Sequence, residues 1–140
     1  MGCGLLFARR ESRFDGSPPT GTLAMVRSPT QLDGDLAEEQ ALRYLLDAGL
    51  RLIDRQVDRR LGEIDLIMVE GHRIVFVEVR RRRSRAFGGA AASVTPAKQR
   101  RIRLAAQSWL QQHYGNRWPE CRFDVCAIEG DTIDWIAGAF

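Results

Sequence analysis

Two kinds of apolar run divide this chain: stretches repeating at three- and four-residue spacing, and short blocks that are almost continuously hydrophobic. From Asp33, the positions Leu36, Ala37, Ala41, Tyr44, Leu45 and Ala48 mark one face of a helix. Asp33 or Asp35 is its candidate N-cap and Gly49 its C-cap. A second helix is announced by Thr95-Pro96, a Thr cap followed by Pro at the first helical position. Ile102, Ala105, Ala106, Trp109 and Leu110 form its apolar stripe. The continuous blocks read as strands. Residues 50–57 alternate loosely, 63–69 and 73–81 are strong, and 122–128 and 132–136 close the chain across Glu129-Gly130-Asp131. The expected order is α-β-β-β-α-β-β, an α/β domain on a mixed sheet flanked by helices.

Residues 1–31 differ from the rest. Gly16-Ser17-Pro18-Pro19, Gly21 and Ser28-Pro29 break any periodicity, so a flexible extension is expected there, with the domain over 32–140. A chain of 140 residues fits one such domain. No apolar run reaches the roughly 20 residues that span a bilayer, and Leu5-Leu6-Phe7 followed by Arg9-Arg10 has the wrong charge order for a signal peptide. No membrane association and a cytoplasmic location are the expectation. Cys3, Cys121 and Cys126 are odd in number and lack CxxC spacing, which fits neither a disulfide framework nor a zinc site.

Charge sharpens the picture. The net charge is only +3, yet Arg80, Arg81, Arg82, Arg83, Arg85, Lys98, Arg100, Arg101 and Arg103 follow one another without an intervening acid. Arg100, Arg101 and Arg103, with Lys98, crowd the early turns of the second helix, where cations oppose the helix dipole. That placement points to phosphate contacts, with Arg81, Arg82, Arg83, Arg85, Lys98 and Arg101 as the candidate nucleic-acid-binding set. Of 21 Lys and Arg residues, Lys98 is the lone lysine.

Two carboxylates interrupt the strong strands: Asp65 in Gly62-Glu63-Ile64-Asp65-Leu66-Ile67 and Glu78 in Val75-Phe76-Val77-Glu78-Val79-Arg80. A carboxylate within an apolar strand is costly unless paired, hydrogen-bonded or metal-bound. A hard divalent cation, Mg²⁺ or Mn²⁺, would explain both, with Asp65, Glu78 and the carbonyl of Val79 as ligands and water completing the shell. Glu38 on the first helix could join through water, and the cation at position 80 could orient water or phosphate. The plainer alternatives are an ion pair at a strand end and solvated helix acids. Strand parity separates them. A two-residue turn at Glu70-Gly71 sets Glu78 diagonal to Asp65, a four-residue loop sets the two opposite, and a three-residue loop puts them on different faces.

Ala37-Glu38-xx-Ala41-xx-Tyr44-Leu45, the GEIDLI segment at 62–67, Val75-Phe76-Val77-Glu78-Val79-Arg80, Arg122-Phe123-Asp124-Val125 and Ala139-Phe140 resemble the YraN-like branch of the PD-(D/E)xK nuclease superfamily. The resemblance covers residue 33 to the end. It implies a restriction-endonuclease-like core, with Asp65 and Glu78 as metal ligands and Glu38 as the helix acid of resolvase-like relatives. It also implies catalytic roles for Glu38, Asp65, Glu78 and position 80. There the motif has Lys and this chain has Arg80, which stays protonated and cannot take a proton, though it can bind phosphate. Three readings follow: a metal-dependent endonuclease acting on DNA, a nucleic-acid-binding module without chemistry, and a protein-interaction factor using the basic face. Related nucleases often cut as homodimers, with Trp118 or Trp135 available for an interface or for the core.

Overall fold

The structure, a computed structural model, describes residues 28–82 and 93–140. It contains α1 (Pro29–Asp47), β1 (Arg51–Arg59), β2 (Gly62–Glu70), β3 (Arg73–Arg81), α2 (Pro96–Tyr114), β4 (Cys121–Glu129) and β5 (Thr132–Ile136). The five strands form one sheet in the order β1-β2-β3-β4-β5. Only β3 and β4 run parallel, because α2 carries the chain back across the sheet between them. The expected element order and fold class hold. The core of this α/β domain is of the restriction-endonuclease type.

Each helix covers one face of the sheet. Ala37, Ala41, Leu42 and Leu45 of α1 pack on Leu66, Met68, Val75, Val77, Cys126 and Ile128. Ile102, Ala105, Ala106, Trp109 and Leu110 of α2 pack on Ile64, Ile67, Ile74, Phe76 and Val125. The predicted α2 stripe is the buried one. The α1 stripe is rotated relative to the expectation: Leu42 is buried, while Leu36 and Tyr44 are exposed. That helix also starts earlier than Asp33. Ser28 is the cap, its hydroxyl accepting from the Gln31 N–H while the Gln31 side chain accepts from the Ser28 N–H, and Pro29 takes the first helical position. Ser28-Pro29, read from sequence as a loop signal, is thus a helix start. The expected extension up to residue 27, and the Gly/Ala-rich loop up to residue 92, lie outside the described residues.

The turn between the two strong strands is Gly71-His72, closed by a Glu70–Arg73 pair, with Gly71 at φ +61°. The two-residue alternative considered from sequence lay one residue earlier, at Glu70-Gly71. The shift matters because Val69 now faces Ile74 and Leu66 faces Val77. One more step of that register sets Asp65 against Glu78, the arrangement of the four-residue alternative. The assigned pairing ends at Leu66–Val77, and beyond it the two strands form an open fork.

A second polar cluster locks the far edge. Asp124 on β4, with no solvent exposure, accepts from Arg122 Nε and Nη2 (2.8 and 2.9 Å), Trp135 Nε1 (2.8 Å) and the Gly138 N–H (2.9 Å). Arg122 also reaches Glu70 at 3.0 Å. A buried carboxylate with this many charge-assisted donors is satisfied, and it fastens β5 and the C-terminal residues to the sheet. Trp135 therefore has a structural partner, whereas Trp118 is exposed.

Candidate metal and phosphate site at the strand fork

Asp65 sits in the mouth of the fork. Its Oδ2 accepts a 2.8 Å hydrogen bond from the Val79 N–H. By the register, a main-chain carbonyl near Ile64 would otherwise take that bond, so the carboxylate replaces a rung of the ladder. Glu78 alternates with Val77, which belongs to the α1-side core, and so turns toward α2, where Lys98 Nζ meets its Oε1 at 3.0 Å. Asp65 lies near enough to both Glu78 and Glu38 for each of those charges to act on it or be acted on by it. The three acids of the sequence reading are therefore neighbours, with Asp65 in the middle.

Three carboxyls so close act on one another despite their partners. Burial, and then the Glu78 charge, pushes the Asp65 carboxyl from 3.8 up to about 7, against the opposing pull of the Val79 N–H and Lys98. Burial also raises Glu38, while its hydrogen bond from Gln56 Nε2, at 3.0 Å, lowers it and the Asp65 charge raises it further. Glu78 is only 4% exposed. A divalent ion beside the raised Asp65 carboxyl would favour its charged form, and two neighbouring carboxylates suit such an ion. Among the described residues, no three His, Cys, Asp or Glu side chains close around a common point. The fit is therefore to two carboxylates plus main chain, with water and substrate oxygens filling the rest, as Mg²⁺ commonly accepts. In an extended strand the N–H and C=O of one residue point to the same side. The Val79 carbonyl therefore lies on the edge that its N–H presents to Asp65.

The carboxylates open into a cleft of about 230 Å³ lined by Gly62, Glu63, Asp65, Glu78, Lys98, Arg101 and Ile102. Gly62 sets its width: a Cβ there would meet the Arg101 carbonyl at 2.6 Å, so only glycine lets β2 lie this close to α2. Thr95, the α2 cap, accepts from the Lys98 N–H at 3.2 Å and fixes the turn that carries Lys98 inward.

The cations sort differently from their order in sequence. Lys98, placed by sequence among the phosphate contacts, is in the cleft on Glu78. Arg80, the expected catalytic cation, is farther away, its Nη1 3.9 Å from the same oxygen and its side chain 36% exposed. Arg101 lines the cleft, and Arg81, next to Arg80 in sequence, is exposed. Arg82 is largely buried, 3.9 Å from Asp134. Arg83 and Arg85 lie outside the described residues. Sequence reasoning missed Gln56 altogether and missed the contact of Lys98 with Glu78. The second carried a signal: a chain that uses arginine almost everywhere kept lysine at one position.

The family profile described as uncharacterised protein family UPF0102 matches residues 37–128, from within α1 to near the end of β4. The chain belongs to this family. The UPF0102 protein YraN of Escherichia coli (strain SMS-3-5 / SECEC) is 49% identical over 123 residues, covering 87% of this chain and 94% of the relative. The protein of the same name from Shigella sonnei (strain Ss046) has the same identity and coverage. That of Escherichia coli (strain K12 / DH10B) is 48% identical over the same length. UPF0102 is a member of the restriction-endonuclease-like superfamily, in agreement with the sheet and helices described above. Among the described residues, no helix is long and apolar enough to cross a membrane.

Proposed function

We propose that this UPF0102 chain hydrolyses DNA phosphodiester bonds with a divalent metal, Mg²⁺ or Mn²⁺, at the fork between β2 and β3. The observation that supports this above all is the meeting of Asp65, Glu78 and Lys98 in one cleft, reached from three elements. Asp65, Glu78 and the Val79 carbonyl would hold the ion. When bound, it would polarise the scissile phosphate and acidify a water.

The chain's own groups account for the remainder. Lys98 places a positive charge beside Glu78 at the cleft wall, where it can bind a phosphate oxygen and offset charge developing on it. Arg80 stays protonated and contributes a phosphate contact from farther out. Arg101 at the cleft edge, together with the exposed Arg81 at the end of β3, would hold the flanking backbone without reading sequence. Glu38 stands beside Asp65 as the third acid.

The test is cleavage of plain duplex, forked and single-stranded DNA with Mg²⁺ or Mn²⁺, comparing the wild-type chain with Asp65→Asn, Glu78→Gln and Lys98→Ala. Metal-dependent cleavage lost in the first two supports the reading; cleavage indifferent to both overturns it. Arg80 in the motif's lysine position favours a second reading, a nucleic-acid-binding module without turnover. Salt-sensitive DNA binding with no cleavage under any of these conditions would select it.

A further inference from the structure

Among the described residues, Gln56 is the non-glycine residue with positive φ, +50°, and it lies inside β1. That conformation crowds a Cβ against the following carbonyl, so a side chain there is held against the backbone's preference. The distortion is local. Pairing with β2 runs Arg55–Leu66 and then Val57–Ile64, stepping over Gln56 and Asp65. Val57 returns at once to the core under α2, while Arg55 reaches across to Glu39 of α1 at 3.0 Å. The left-handed residue turns its amide the same way, and Nε2 donates to Glu38 Oε2 at 3.0 Å.

If β1 needed only a bend at this point, glycine would make it with less strain. What glutamine adds is the amide, and the amide is spent on Glu38. Strained residues of this kind persist where the surrounding structure holds them, and they cluster at functional sites. Glu38 is faced by Gln56, by Arg55 at 3.9 Å and by Asp65, so its carboxylate is directed inward rather than solvated like an ordinary helix acid.

We propose that Gln56 is a positioning residue: its strained backbone and amide fix the Glu38 carboxylate against Asp65, making Glu38 a member of the fork that acts on the metal through its water shell. This rests on the metal-site reading above. Gln56 touches neither ion nor substrate, and acts through Glu38 alone.

The experiment is a double-mutant cycle of Gln56→Gly and Glu38→Ala, read by Mn²⁺ titration calorimetry and by single-turnover cleavage, with melting temperature alongside. Gln56→Gly should melt at or above the wild-type temperature, because glycine accepts the turn. It should nevertheless weaken Mn²⁺ binding or cleavage about tenfold, the usual effect of removing a group that orients a metal's surroundings. In the Glu38→Ala background the same substitution should have no further effect. Gln56→Asn, which tolerates the backbone but is too short for Glu38, should behave like Gln56→Gly. A Gln56→Gly protein with unchanged binding and cleavage overturns the proposal, as does a loss that persists undiminished without Glu38. If the wild-type chain binds no Mn²⁺, the metal site itself has failed and this inference falls with it. If wild-type binding is abolished by Asp65→Asn but ignores Gln56, the metal site stands and this inference alone is wrong.

Discussion

Replacing Asp65 by Asn should make the metal-free protein more stable while abolishing its response to metal. The Asn Oδ1 can still accept from the Val79 N–H, so the fork's hydrogen bond survives. What disappears is a buried charge beside Glu78. The Asp65 carboxyl is raised from 3.8 to about 7, so the folded state binds its proton more tightly than the unfolded state does. The stabilising effect of that proton is complete below the unfolded value and is lost as pH climbs through the folded one. At pH 8 the cost of ionising Asp65 in the fold approaches about 4 kcal/mol, from about 3 pKa shifts of ~1.4 kcal/mol each, and at pH 4 it is only about 0.5 kcal/mol. The surroundings relax on ionisation, so a gain of about 1–3 kcal/mol is expected for Asp65→Asn at pH 8. For a domain of this size that corresponds to roughly 3–12 °C in melting temperature. The assay is thermal or urea unfolding in EDTA at pH 8 and pH 4, repeated at pH 8 with millimolar Mg²⁺ or Mn²⁺. Metal should raise the wild-type melting temperature and leave Asp65→Asn unmoved. The reasoning is refuted if Asp65→Asn is the less stable protein at pH 8, or if its advantage is as large at pH 4.

Other outcomes follow from the same geometry. Lys98→Ala should lower single-turnover cleavage by about 100-fold or more and Arg80→Ala by less than about tenfold, because the closer cation carries the charge stabilisation; equal losses in the two variants would reverse that ranking. Gly62→Ala should cost about 1–3 kcal/mol in urea unfolding, since its Cβ would be driven into the Arg101 carbonyl and α2 would have to shift. Asp124→Ala should cost about 3–5 kcal/mol, because the half-buried Arg122, the Trp135 N–H and the Gly138 N–H all lose their acceptor, and should raise protease sensitivity at β5. DNA affinity measured in EDTA should fall steeply between 50 and 200 mM salt (about tenfold or more), and Arg81→Ala with Arg101→Ala should flatten that slope.

The strands were readable because each carboxylate stood out against an otherwise apolar run, and α2 because Thr95-Pro96 and its stripe agree. The turn was left open among three loop lengths because sequence alone does not say which turn position Gly71 takes; its left-handed backbone serves the first. At Ser28-Pro29 the same residue types mark both loops and helix starts. The reciprocal bonds with Gln31, which decide between them, depend on three-dimensional contact. Leu36 and Tyr44 looked like core from spacing alone, yet the rotation of α1 is set by where Ala37 and Ala41 let it approach the sheet. Within the site, Asp65 and Glu78 could be named from the sequence. Their closeness could not, because it depends on the register of one hairpin. Gln56 was invisible for a different reason: glutamine, unlike glycine or asparagine, carries no residue-type signature of a left-handed backbone.

Because the Asp65 side chain closes a gap in the sheet as well as bordering the cleft, selection for folding alone would resist its removal. A relative that had abandoned chemistry could therefore retain an acid or amide at this position for architectural reasons. Glu78, whose charge meets Lys98 and Arg80, is therefore the more informative position at which to test the proposed cleavage across the family.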